Sequence, residues 1–275
     1  MMQFSLFEQI ALAIFLLSGI SFFLYHLLLR LKIILKGKSD FSIDQLPKRI
    51  ARVFDEVILH KKVASGKRKS AGILHALVMY GFIFFGLITI NHFGMAFGLP
   101  IFSDSIRHAY FLFFGAPWAI LCSIGILGLA YRRFVIKPEA LGKFSSTSAI
   151  VSVFIVTLMV TYLIDEFHIL SGASEKFNWW LHSGVIGGFL FLIPQSKHMH
   201  LVLSPFNIFL RPFEVPSHGA IPIDMEASEE ELDNLLLDLS RLSKDQALDI
   251  FTCVECGRCT DVCPANRGGG ILDPK

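Results

Sequence analysis

The sequence is short of charge. Asp, Glu, Lys and Arg make up 17% of its 275 residues, where a soluble globular chain carries roughly 25%. With 53% hydrophobic residues and a mean hydropathy of +0.57, an all-soluble or disordered chain is ruled out. Charge of one sign is also missing: a net +2 gives no electrostatic footprint for nucleic acid. Cysteine is scarce outside one place. Cys122 stands alone in an apolar run, and Cys253, Cys256, Cys259 and Cys263 fall close together. A secreted disulfide framework spreads its cysteines, so clustered thiols point to a metal site in a reducing compartment. The first apolar run lacks a basic leader and a small-residue cleavage site, and reads as a retained helix.

Long apolar runs are abundant. Runs of about 20 residues cover Ile10 to Leu29, Ala71 to His92, Ala109 to Tyr131 (with Pro117 and Gly115 as a kink), Thr147 to Ile164, and Trp179 to about Leu203. In lipid each must be helical, because every backbone N–H and C=O has to be paired internally. The expected fold is an all-α membrane protein, a five-transmembrane-helix bundle over residues 1–210. Residues 211–275 form a small cytoplasmic helical ferredoxin-type segment. Twelve Lys and Arg against four Asp and Glu lie between Arg30 and Lys69, and four more basic residues between Arg132 and Lys143. The other two loops hold one each, Arg107 and Lys176. Basic loops face the cytoplasm, so the N-terminus is expected outside and the cysteine run inside. Trp179 and Trp180 fit an interfacial aromatic belt.

Ionisable residues inside spans are costly and are functional candidates. His75 and His92 lie on span two, and His182 and His200 on span five. The separation of the first pair is about 25 Å of helix and that of the second about 27 Å. A straight helix would put His182 and His200 on one face, with His198 about 160° away. The two spans run antiparallel, so His75 pairs in height with His200 and His92 with His182. Two imidazole pairs, one near each membrane surface, have the chemistry to ligate two b-type haems. Gly81, Gly86, Gly184, Gly187 and Gly188 leave room for a macrocycle or permit close helix packing. Taken singly, any of these histidines also reads as an interfacial or hydrogen-bonded residue. His26, His60, His108, His168 and His218 read as interface or loop residues.

The C-terminal run Cys253-Val-Glu-Cys256-Gly-Arg-Cys259-Thr-Asp-Val-Cys263-Pro264 is C-x2-C-x2-C-x3-C-P, the bacterial ferredoxin pattern for a [4Fe–4S] cluster. Gly257 allows a sharp turn between thiols. A zinc ribbon would separate two C-x2-C knuckles by a long insert. In two-cluster ferredoxins the fourth cysteine serves the other cluster, and no second run exists here. Either all four thiols bind one cluster or another ligand joins them, and an N-terminal fragment or split protein is expected. Upstream, Leu232, Leu235, Leu236 and Leu239 recur at helical spacing, and Ser243 with Gln246 forms a capping box.

The stretches Asn91-His92-Phe93-Gly94-Met95 and Trp180-Leu181-His182, and Pro194 followed by His200 and Pro205, resemble the gamma subunit of respiratory nitrate reductase. That family has five spans and two b haems and exchanges electrons with quinol. The resemblance covers about residues 1–210. It implies His92 with His182 for the outer haem and His75 with His200 for the inner one. Fusion to Cys-Val-Glu-Cys-Gly-Arg-Cys resembles membrane proteins related to heterodisulfide reductase, some of them electron-transfer-flavoprotein:menaquinone oxidoreductases. Those proteins usually continue into a second ferredoxin motif and cysteine-rich repeats, which this chain does not contain. The resemblance implies a bacterial or archaeal cytoplasmic membrane, membrane lipid as surroundings, and quinone as substrate. It also implies a cytoplasmic redox partner, an electron-transfer flavoprotein or a cysteine-rich reductase subunit. A different class of reading is a membrane anchor or redox sensor carrying a cluster without haem. A metal-ion transporter is disfavoured by the lack of paired carboxylates in mid-span.

Overall fold

A computed structural model describes residues 3–38, 41, 43–65, 68–142, 144–213, 226, 228 and 242–270. Within these no strand occurs. The predicted leucine-spaced helix and His218 lie outside the described residues.

The chain divides into two packing units. The first comprises Met1–Ser21, Lys62–Phe191 and Cys256–Lys275; the second comprises Phe22–Lys61 and Leu192–Glu255. Helix α1 (Leu6–Ile34) contributes to both.

In the first unit, α3 (Lys69–Ala96) packs on α5 (Ala116–Tyr131), and α5 on α6 (Ser146–Glu166). Short α4 (Asp104–Tyr110) leads into α5 through one wide π turn, Phe111–Gly115. The cause is Pro117, which lacks an amide hydrogen and crowds the carbonyl four residues back. The hydroxyl of Ser103 caps α4 and that of Ser145 caps α6, each accepting an otherwise unpaired amide. Gly115 is required by packing, because a Cβ there would lie 2.1 Å from the Tyr162 hydroxyl. Helix α7 (Ala173–Leu192) completes the unit, with a core of Leu12, Ala96 and Trp179.

Among the described residues four helices are long and apolar enough to cross a membrane: Leu6–Ile34, Lys69–Ala96, Asp104–Ile136 and Ser146–Glu166. They contain the first four expected spans. Ile83, Leu87 and Ile90 on α3, and Ile120, Ile124 and Leu127 on α5, are exposed at helical spacing. Such apolar stripes suit lipid. The fifth run is divided. Helix α7 opens on polar Ser174, Glu175 and Lys176 and stops at Leu192. Turns of 3-10 helix follow at Ile193–Gln195 and Lys197–Met199. Pro194 cannot continue an α-helix ladder.

In the second unit, α8 (His200–Leu210) packs against α2 (Leu46–Val53) and against α9 (Lys244–Thr252). Arg49 is only 1% exposed. It donates to the carboxylate of Asp44 and to the carbonyls of Phe209 and Arg211, filling the unpaired acceptors at the end of α8. The Ser243–Gln246 capping box opens α9 as expected. The carboxyl of Asp245, in its first turn, is pushed above the usual range by burial and by Asp249, against the pull of Arg49.

Candidate functional site

His92 and His182 come from helices far apart in sequence and meet with ring centres 5.0 Å apart. The Thr161 hydroxyl donates to the Thr157 carbonyl at 2.6 Å. Its single proton is therefore committed, and at 2.7 Å from Nδ1 of His182 it must accept from Nδ1–H. That tautomer leaves Nε2 of His182 with its lone pair, the state a metal ligand needs. Asn178 fixes Thr161 by donating to its carbonyl at 2.9 Å. Nε2 of His92 meets the buried Ser183 hydroxyl at 2.9 Å, and its ring stacks on Trp179 at 4.7 Å.

His92 and His182 have the donor type of a bis-imidazole haem. Two imidazoles sharing one iron, at metal–nitrogen distances of about 2 Å, would have ring centres about 6 Å apart, so holding one would part these rings by about 1 Å and turn the Ser183 hydroxyl away. The five glycines divide into two kinds. A Cβ on Gly86 or Gly184 would meet nothing, whereas Gly81, Gly187 and Gly188 face Cys122, Phe15 and Phe154 closely.

Beside the imidazoles lies a cavity of about 260 Å³, lined also by Arg107, Tyr110, Asp165 and Glu166. Glu166 is 9% exposed and pairs with Arg107 at 3.4 Å. Both acids face the cavity.

The other two histidines are placed separately. His75 lies on α3 in the first unit, and His200 opens α8 in the second. Since α7 ends before His200, the count of five straight turns from His182 does not hold. His200 Nδ1 lies 2.8 Å from the Lys197 carbonyl, which leaves its Nε2 outward from that bond.

Cys256, Cys259 and Cys263 belong to the first unit, and Cys253 ends α9 in the second. Glu255 (φ 51°) and Gly257 (φ 72°) are both left-handed, so the chain turns sharply between thiols, as the sequence led us to expect at Gly257. Helix α10 (Arg258–Val262) carries Cys259, and α11 (Pro264–Arg267) starts directly after Cys263. Cys253 and Cys259 are exposed. Among the described residues no three His, Cys, Asp or Glu side chains converge as ligands of a single ion. A cubane gives thiolates separate irons, so its ligands stand apart, and the turned loop fits that donor set.

Sequence reasoning missed several partners. Thr161 and Ser183 hold the imidazoles. Arg68 donates to the Cys256 carbonyl and to the carboxylate of Asp261, and Arg258 donates to the carbonyls of Lys62 and Val63. A polar Thr in an apolar span was the one available signal.

No family model matches the chain, and no solved structure matches it. It is 30% identical over 282 residues to a protein named probable iron-sulfur-binding oxidoreductase FadF, of Bacillus subtilis (strain 168). That alignment takes in 92% of this chain and 39% of the relative. It is 23% identical over 309 residues to the EtfAB:quinone oxidoreductase of Syntrophomonas wolfei subsp. wolfei (strain DSM 2245B / Goettingen), covering 95% of this chain and 41% of that protein. The chain thus spans about two fifths of the length of these curated relatives. The similarity supports an iron–sulfur oxidoreductase family.

Proposed function

We propose that the protein carries electrons within the membrane between a cytoplasmic redox partner and the quinone pool. In this reading Cys253, Cys256, Cys259 and Cys263 hold a [4Fe–4S] cluster. His92 with His182 and His75 with His200 hold two b haems, as in the nitrate reductase gamma family, and the run after Trp179 serves as a fifth span. The N-terminus faces outside and the cysteine run faces the cytoplasm of a bacterial or archaeal cell. The name of the Syntrophomonas relative favours an electron-transfer flavoprotein as partner and quinone as substrate.

The observation that carries the reading is the His92–His182 pair, with His182 held in the ligand-ready tautomer by Thr161. Haem and iron–sulfur groups take up and release single electrons when bound. The chain's own residues do the rest. Thr161 and Asn178 fix ring orientation. Quinone reduction consumes two electrons and two protons, and the carboxylates of Asp165 and Glu166 in the adjoining cavity are placed to pass protons, with Arg107 holding Glu166.

A dithionite-reduced minus oxidised spectrum of the detergent-purified protein, with haem and iron counted per chain, tests this. Two b haems plus the iron of one cubane are expected. Iron and sulfide without haem would leave an anchor or sensor and return the histidines to structural roles.

A further inference from the structure

We infer that Arg68 is a positioning residue for the cysteine loop, and that its guanidinium makes a cluster held there easier to reduce. The inference rests on the reading of the cysteine run as a [4Fe–4S] ligand set.

Arg68 immediately precedes α3 and its side chain is 17% exposed. One guanidinium nitrogen donates to the Cys256 carbonyl, and the other to Asp261 and, at 3.5 Å, to the Gly257 carbonyl. The fork thus spans the left-handed turn that separates Cys256 from Cys259. The loop returns the contact: Arg258, one residue before Cys259, donates to the carbonyls of Lys62 and Val63 at 3.1 and 3.0 Å. Residues 62–65 are themselves seated on α3. A Cβ at Gly72 would fall 2.2 Å from the Val63 carbonyl oxygen, so glycine is what lets that strap cross the helix. Two reciprocal arginines and one glycine therefore tie the thiol loop to the first turns of α3. His75 lies on the same face as Gly72, one turn further along.

Arginine suits this place for two reasons. Its planar fork serves two acceptors at once, and it stays protonated at any working pH. A fixed positive charge on the carbonyl of a ligating residue favours the more negative, reduced state of a cluster, whose potential follows net charge and hydrogen bonding. Asp261 offsets only part of that charge, being 47% exposed and screened by water.

The test is an EPR-monitored redox titration of the whole chain, wild type against Arg68→Gln and Arg68→Lys, with iron, sulfide and the rate of cluster loss to a chelator measured on each. For Arg68→Gln at fixed potential, the ratio of reduced to oxidised cluster should fall about tenfold, equivalent to 59 mV for one electron. Chelator loss should quicken, and the haem bands should not move. Arg68→Lys should fall between the two in potential. An unchanged potential and chelator rate in Arg68→Gln would overturn the inference. If Arg68→Gln retains no cluster iron, Arg68→Lys decides: a retained cluster with a lowered potential supports the inference, and equal cluster loss overturns the tuning role. Absence of any [4Fe–4S] signal from the wild type would instead sink the cluster reading itself.

Discussion

The outer histidine pair and the cysteine loop are built in opposite ways. His92 and His182 sit within helices of 28 and 20 residues, and their partners are hydroxyls that orient a ring without adding charge. Cys256, Cys259 and Cys263 sit among helices of five and four residues, tied down by arginines and partly open to water. Long helices give the imidazoles fixed positions in an apolar setting. The thiols depend on a few charged contacts to hold turns too short to be stable alone. Rigidity in the one comes from packing, and in the other from charge-assisted hydrogen bonds.

The contrast can be broken most severely at the thiols. Cys256→Ser or Cys259→Ser should remove most of the cluster iron and sulfide while leaving haem per chain unchanged, read by iron analysis and visible spectra. The converse comes next: His182→Ala should remove one of two haems and leave the cluster signal intact. Loss of both groups in either variant would show that the two regions are not independent.

A smaller effect is expected from packing. Gly115→Val places a side chain where Tyr162 already stands, and overpacking costs about 1–3 kcal/mol. Its apparent Tm in detergent should fall, with the cysteine loop's chelator sensitivity unchanged.

The smallest effect lies in the second unit. Asp245 has a raised folded-state pKa, so its ionisation opposes folding and stability falls as pH rises through that pKa. Asp245→Asn should raise stability slightly at pH 7, by under about 1 kcal/mol after solvent screening, read as a small rise in Tm. The gain should vanish at acid pH below the ordinary carboxylate range, where both forms are neutral. A loss at pH 7 would show instead that the carboxylate stabilises α9.

The parts legible in the sequence were those with local causes. Thiol spacing, the Ser243–Gln246 box and the left-handed Gly257 each depend on neighbours a few residues away. The four long apolar helices follow from length and composition, and the His92 and His182 rings do meet. What escaped depends on distant partners. Ser183 reaches His92 across 91 positions and Arg68 reaches Cys256 across 188, and no periodicity records either. The break after Leu192 was masked for a different reason: Pro194 sits in a run apolar enough to look continuous.

Arg49 also has a consequence in time. Its acceptors on Phe209 and Arg211 lie 160 and 162 residues further along the chain. A ribosome adding about 5–20 residues per second reaches them some 10–30 s after Arg49 itself is made. Until then a side chain that ends almost wholly enclosed has only Asp44 to meet, and α2 cannot take its final seat. The second packing unit is therefore finished late, after the four long apolar helices have been made.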